Sequence, residues 1–334
     1  MKLIEITDQA RWDELVNNHP YGHPLQLWGW GELKRLNRWL PYRVALEHKG
    51  ELVAGMQILM LPIPGLRRRV AYVPRGPVAD PQAAMTRELL TQATAFARSQ
   101  QALFLTLEPA WFDYQFPKGW LKSRQHVLLP QTYILDLNPP ETELFANLRP
   151  TMRNLVRAGE RHDIEIFDDT NHERLDDFWR IYQQTAKRAR FGLHTRDYYT
   201  QLARELGARS HLKFALVDGR AESFSWVVTG GPTAIELYAG STEVGSKHNA
   251  NYLLKWRMIT AMKAVGCVQY DFNGRLNDGI SKFKAGFGPE AATYVGSFDF
   301  PFHRGRYALW KNVLPVAKSV SRRVKPRPRR EKQA

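Results

Sequence analysis

The sequence predicts a mixed α/β protein, α+β in layout, built from two units related by internal duplication. Three observations carry that reading. An order of strand hairpin, strand, helix, strand occurs twice. Its hairpin glycines, Gly50 and Gly219, stand 169 residues apart, close to half of the 334-residue chain. Each repeat's last strand also has an acid at its polar end, Glu108 in one and Asp271 in the other. Self-similarity at a fixed spacing marks a duplicated unit, and the length suffices for two cores.

In the first unit, Leu27-Trp28-Gly29-Trp30 leads into a short helical stretch with Lys34 and Arg35. A strand at 42–47, a Lys49-Gly50 turn and a long strand at 51–61 form a hairpin by alternation and turn chemistry. A third strand at 69–73 ends at Pro74-Arg75-Gly76-Pro77. A helix over 81–99 aligns Leu89, Leu90, Ala93 and Phe96 on one face, and a strand at 103–107 closes the unit. The second unit repeats this with strands at 212–217, 222–229 and 234–239, turning at Asp218-Gly219 and Gly230-Gly231. Its helix, 251–265, aligns Leu254, Met258, Ala261, Met262 and Val265 and stops at Gly266. A strand at 268–272 follows.

The connecting region reads as helical. Asn138 is the expected N-cap, with Pro139 at the first helical position and Glu141 at the third. Arg149, Arg153, Arg157 and Arg161 recur every four residues, with Pro150 interrupting after the first. Like charges at that spacing repel by roughly a few tenths of a kcal/mol per pair. An anionic partner removes that repulsion and guanidinium suits phosphate. Arg153, Arg157 and Arg161 are therefore expected to bind phosphate, a solvated face being the alternative. A helix over 174–189 buries Leu175, Phe178 and Tyr182, and presents Lys187, Arg188 and the following Arg190. A short helix over 195–206 carries Tyr198 and Tyr199, and an amphipathic helix over 307–319 closes the fold.

The stretch from Tyr270 to Gly288 is the expected centre of the chemistry. Ligands collect at strand ends of α/β sheets. Beyond the Asn273-Gly274 turn, Lys282 and Lys284 flank Phe283; in an extended segment both lysines share one side. A lysine there can hold an anion or a developing oxyanion. Solvated surface lysines are the alternative. No Ser-His-Asp or Cys-His arrangement and no metal-ligand spacing is discernible, so neither a metal nor a cofactor is expected.

Composition narrows the partners. Net charge is +15, with eight Lys or Arg and one Glu between 318 and 332. Pro326 and Pro328 keep that tail from being helical, and a basic arm suits anionic lipid or nucleic-acid phosphate. The single cysteine, Cys267, excludes an intrachain disulfide and fits a reducing cytoplasm. No signal peptide and no stretch long enough to span a bilayer is apparent, so a soluble protein is expected.

The order of elements matches the acyltransferase fold called GNAT. Such folds cradle acyl-CoA with an (Arg/Gln)-x-x-Gly-x-(Gly/Ala) loop before the central helix, which neither repeat has; CoA is not the expected donor. Further stretches complete a resemblance over nearly the whole chain: Gln26-Leu27-Trp28-Gly29-Trp30-Gly31, Tyr72-Val73-Pro74-Arg75-Gly76-Pro77, Thr151-Met152-Arg153-Asn154, Leu237-Tyr238-Ala239-Gly240-Ser241 and Asn251-Tyr252-Leu253-Leu254-Lys255-Trp256. Together with the Lys-Phe-Lys stretch, they resemble the Fem family of non-ribosomal peptidyltransferases, in its compact type without a coiled-coil arm.

The resemblance implies two GNAT-like domains, with residues 1–142 and 297–320 forming the first and 143–296 the second; 321–334 remain as a basic tail. It implies transfer of glycine, alanine or serine from aminoacyl-tRNA to the stem peptide of lipid II or UDP-MurNAc-pentapeptide. The expected setting is cytoplasmic, at the inner membrane face, with a monomeric enzyme. By position, Lys34 matches the lysine that holds the precursor's diphosphate, and Lys284 the lysine that assists acyl transfer. Phe283 lines the tRNA end's site, and Tyr198 and Tyr238 the substrate channel. Glu108 stands where an acid was considered as a base, and Arg75 belongs to a matched stretch. The proton passes through the substrate itself or through Asp271, for which a structural role is the alternative, and Lys282 is a candidate for RNA phosphate. One departure is His194 where the family has a phosphate-binding arginine; either Arg190 or Arg196 substitutes for it, or the precursor's phosphates are gripped differently. A transferase for another amine, such as a protein N-terminus or an exopolysaccharide component, and a non-catalytic basic adaptor are the competing readings.

Overall fold

The computed structural model describes residues 1–311 except Asn277. In chain order the first half holds β1 (Lys2–Glu5), α1 (Gln9–Asn18), α2 (Trp28–Arg35), β2 (Leu40–His48), β3 (Glu51–Pro62), β4 (Arg69–Arg75), α3 (Ala84–Ser99), β5 (Ala102–Pro109) and β6 (Leu121–Lys122). Then come β7 (Gln131–Asp136), α4 (Glu141–Asn147), α5 (Pro150–Arg161), β8 (Glu165–Asp168), α6 (Leu175–Ala189) and α7 (Arg196–Leu206). The rest is β9 (Ser210–Val217), β10 (Arg220–Gly230), β11 (Thr233–Ser241), α8 (Glu243–Lys247), α9 (Ala250–Ala264), β12 (Gln269–Asp271), α10 (Gly279–Ala285), β13 (Glu290–Thr293) and β14 (Phe298–Pro301). Residues 304–311 are helical. The remainder of the helix expected over 307–319 and the basic tail lie outside the described residues.

The duplication is visible strand by strand. One seven-stranded sheet runs β1-β2-β3-β4-β5-β14-β6 and the other, read from its far edge, β8-β9-β10-β11-β12-β7-β13. In each, one pair is parallel, β4 with β5 and β11 with β12, joined by the crossover helices α3 and α9. The hairpins agree in detail. Lys49-Gly50 and Asp218-Gly219 both have positive φ at the two turn positions, the backbone that matches strand twist in a two-residue turn. Three residues past each turn glycine the register slips by one, leaving Val53 and Glu222 as equivalent bulges.

The sheets exchange strands. β14, near the end of the described chain, completes the first sheet beside β5. β7, which falls inside the span 1–142, instead hydrogen-bonds to β12 and β13 of the second. A further bond ties the units together: one apolar cluster includes Trp12, Leu27 and Trp30 from the first and Phe178, Tyr199 and Trp226 from the second. At this junction α2 lies so close to α7 that a Cβ on Gly29 would stand 1.9 Å from the Glu205 carbonyl oxygen.

Three local expectations are corrected. Asn138 is not an N-cap; its amide donates to Asp136 Oδ1 at 2.8 Å, and α4 is capped by Pro140, whose carbonyl accepts from Glu143 and Leu144 N–H. Pro150 does not interrupt a helix but begins α5, the position where a missing N–H costs nothing. Lys282, Phe283 and Lys284 are not extended; they lie on α10, capped by Asp278, whose carboxylate accepts from Ser281 N–H.

Candidate active site

Lys34 sits in the last turn of α2, and the α2–α7 contact brings it to Tyr198. Its Nζ donates to Tyr198 Oη at 2.7 Å and lies 4.0 Å from the Trp30 ring centroid. Burial lowers its pKa to about 8, and among the described residues no carboxylate compensates. His194 stacks on the Tyr198 ring at 4.1 Å, and its own pKa is lowered by burial and then by Lys34. A cation and an imidazole thus meet beside one phenol, with no anion among the described residues. Of the expected arginine substitutes, Arg196 pairs with Asp176, and Arg190 is exposed at the left-handed C-cap of α6.

Lys284 occupies the other end of the second unit. A cavity of about 250 Å³ lies beside β11, α9 and α10, with Lys284 and Phe283 in its wall. Lys284 Nζ donates to the Gly274 carbonyl at 3.1 Å, in the turn that follows β12. Burial lowers its pKa, opposed by Asp271 and then Asp278. On a helix, side chains two apart diverge by about 200°. Lys282 accordingly faces elsewhere and lines a separate pocket with Arg149 and Arg275.

Asp271 is fully buried and takes three neutral donors: Thr132 Oγ1, Asn273 N–H at 2.7 Å and Tyr294 Oη at 3.0 Å. Its bond to Asn273 N–H lies in the same turn whose Gly274 carbonyl accepts from Lys284. Glu108 is likewise occupied, by Tyr72 Oη at 2.7 Å and by the Val127 and Leu128 N–H groups at 2.7 and 2.9 Å. Arg75 is buried at the junction, donating to the Leu129 carbonyl at 3.0 Å with its guanidinium 4.0 Å from the Tyr294 ring. In the arginine run, Arg153 donates to the Ala146 and Leu148 carbonyls, satisfying the end of α4, and Arg157 lies over Phe145 at 5.4 Å. Arg161 is exposed. The expected face is therefore partly spent inside the protein.

Sequence reasoning missed the most buried charges of the cavity. Lys255 on α9 and Glu236 on β11 are in direct contact, 2% and 6% exposed. The available signal was a lysine within the apolar run Leu253-Leu254-Lys255-Trp256 and an acid between Ile235 and Leu237. What hid it is a bulge: Trp226 pairs with Tyr238 but Val227 with Glu236, leaving Leu237 extra. A bulge re-aims side chains. Tyr238 consequently joins the aromatic cluster of Tyr182, Tyr199 and Trp226, while Glu236 turns to α9. The two lysine sites are linked by rings in contact: Tyr198 to Tyr199 at 5.6 Å, Tyr199 to Tyr238 at 5.2 Å, Tyr238 to Tyr182 at 5.5 Å and Tyr182 to Phe224 at 5.4 Å. Phe224 lines the Lys284 cavity.

Solved structures place the fold. The crystal structure of FemX superposes with a TM-score of 0.86 at 19% identity, covering 93% of this chain and all of that one. A tandem GNAT protein from the clavulanic acid biosynthesis pathway gives 0.50 at 15%, over 89% of this chain and 97% of that one. The likeness is one of fold: two joined GNAT-like units. The model described as FemAB family matches residues 7–119, 123–225 and 223–313, and the chain belongs to that family. Among curated relatives, a lipid II:glycine glycyltransferase of Staphylococcus haemolyticus is 29% identical over 59% of this chain and 50% of its own length. One of the same name from Staphylococcus saprophyticus is 22% identical over 94% and 96%.

Proposed function

We propose that this chain moves an amino acid from aminoacyl-tRNA to the stem-peptide amine of a peptidoglycan precursor, building an interpeptide bridge at the inner face of the membrane. The observation that carries the reading is the pair of lysines, Lys34 and Lys284, held in partly desolvated sites joined by one aromatic wall. Each suits an anionic group of a different substrate. Lys34 with His194 takes the diphosphate of lipid II or UDP-MurNAc-pentapeptide; Lys284 faces the aminoacyl ester. The names of the staphylococcal relatives favour the lipid-linked acceptor.

Aminolysis needs positioning and oxyanion support more than strong acid–base power. The acceptor amine attacks the ester carbonyl, a C–N bond forms, and the bond to the tRNA 3′-oxygen breaks. Lys284 stabilises the oxyanion, and the proton lost by the amine ends on the departing 3′-hydroxyl. Lys282 with Arg149 and Arg275 offers a cleft for RNA phosphate, whose binding weakens with salt.

The test is mass spectrometry of the precursor after incubation with protein and tRNA charged with glycine, alanine or serine. A product heavier by one residue supports the reading. Unchanged precursor with all three removes it and leaves another amine or a non-catalytic adaptor. Lys284→Met is expected to abolish the product while leaving the circular dichroism spectrum unchanged; near-normal turnover takes Lys284 out of its role.

A further inference from the structure

The Glu236–Lys255 pair sits where packing is a poor reason for it. Burying two charges costs desolvation that apolar side chains of the same volume avoid. Tyr270 Oη donates to Glu236 Oε2 at 2.6 Å, and Ser225 Oγ lies 3.4 Å from both Glu236 Oε2 and Lys255 Nζ. Both charged side chains line the cavity that holds Lys284. In the same wall, Asn251 Oδ1 is buried without a hydrogen-bond partner. A carboxylate and, buried in the same wall, an amide oxygen without a partner among the described residues complement a small cation with several N–H donors.

We propose that Glu236, with Asn251, binds the α-ammonium of the amino acid being transferred, which displaces Lys255 from the carboxylate. The inference rests on the aminoacyl-tRNA reading and names the part of that substrate the buried pair reads. In an aminoacyl ester, ammonium and carbonyl are one carbon apart. An ammonium on Glu236 therefore keeps the carbonyl in the cavity that Lys284 lines.

Charge balance gives the proposal a second consequence. In the empty site Glu236 is neutralised by Lys255; in the filled site it is neutralised by the substrate. The groups facing Lys255 are Glu236 from β11, Ser225 from β10 and Tyr270 from β12. Lys284 from α10 and Arg188 from α6 open on the same cavity. Glu236 is the only anion among these; the Ser225 hydroxyl and the Tyr270 ring, 3.4 and 5.9 Å from the Lys255 ammonium, are neutral. Burial and the Lys284 ammonium already push its pKa well below that of an ordinary lysine. When the substrate takes Glu236, Lys255 gives one proton to solvent and remains as a neutral amine.

The probe is 3′-alanylamino-3′-deoxyadenosine, whose amide link resists transfer, compared with the lactyl analogue that has a hydroxyl in place of the amine. Isothermal titration in two buffers of different protonation enthalpy gives affinity and proton release together. Wild type is expected to prefer the alanyl compound by about tenfold or more, releasing about one proton per complex near pH 7. Glu236→Gln alone leaves Lys255 without its carboxylate, so Lys255 sheds its proton already in the empty site. The double variant Glu236→Gln/Lys255→Met, checked by circular dichroism, is the fold-preserving comparison and is expected to lose both preference and proton release. Equal binding of the two analogues by wild type overturns the inference, as does a preference kept by the folded double variant. Preference without proton release overturns the displacement of Lys255. Binding of neither analogue would also take down the aminoacyl-tRNA reading, whereas equal binding leaves that reading standing.

Discussion

Lys34 is a cation waiting for an anion. Among the described residues its only polar partner is the Tyr198 hydroxyl, and burial brings its pKa to about 8. The protonated form binds diphosphate, and that form is lost as pH rises through about 8. His194, held below the usual histidine value by burial and Lys34, is neutral at pH 7 and gains charge only on the acid side. Both groups therefore give the same sign: the acceptor's KM rises with pH. Steady-state kinetics are expected to show this between about pH 7 and 9, by at most about tenfold per pH unit for one titrating group. A flat profile removes Lys34 from diphosphate binding. Lys34→Met is expected to raise that KM by roughly tenfold to a hundredfold, matching about 1.5–3 kcal/mol for a hydrogen bond to a charged group.

At the scale of elements, the placement of Lys34 depends on a helix contact that admits no side chain. A Cβ on Gly29 would meet the Glu205 carbonyl of α7, backbone that cannot rotate away. Gly29→Ala is expected to push α2 from α7 and carry Lys34 off Tyr198. Stability should fall by roughly 1–3 kcal/mol in urea unfolding, with a larger change in acceptor KM than in kcat. Gly192→Ala, with nothing within 4 Å, is the control and should stay within about 0.5 kcal/mol. Elements whose cause is local were legible in the sequence. The hairpins at Gly50 and Gly219, the helix ending at Gly266 and the aromatic-rich α2 and α7 all follow from turn chemistry and periodicity. Elements decided by distant partners were not. The alternation that makes a strand readable puts Glu236 and Tyr238 on one side, and the bulge at Leu237 separates them. Lys-Phe-Lys fits an extended reading until Asp278 caps it as a helix. Arg153 looks like surface charge until the end of α4 takes its guanidinium.

For the whole molecule, the exchanged strands decide how it comes apart. The first sheet needs β14 from beyond the second unit, the second needs β7 from before it, and one apolar cluster spans both. Neither unit is self-contained, so unfolding is expected as one transition, with fluorescence and far-ultraviolet signals coinciding. Two separated transitions would refute that coupling. The same coupling makes a buried histidine at the junction a global liability. His23 is 1% exposed, its Nδ1 accepts from Leu25 N–H at 3.1 Å, and burial followed by the Arg75 charge holds its pKa well below normal. His211, hydrogen-bonded to Thr229, is lowered to about 4, mainly by burial. For both, the unfolded chain binds protons that the folded chain refuses. Stability therefore falls as pH drops below about 6.5, by up to about 1.4 kcal/mol per pH unit for each group, until the folded pKa is reached. Urea midpoints at about pH 7.5 and 5 should show this loss, and His23→Gln should diminish it because glutamine has no such proton to gain. An equal midpoint shift in wild type and His23→Gln would show that His23 is not among the groups that set acid stability.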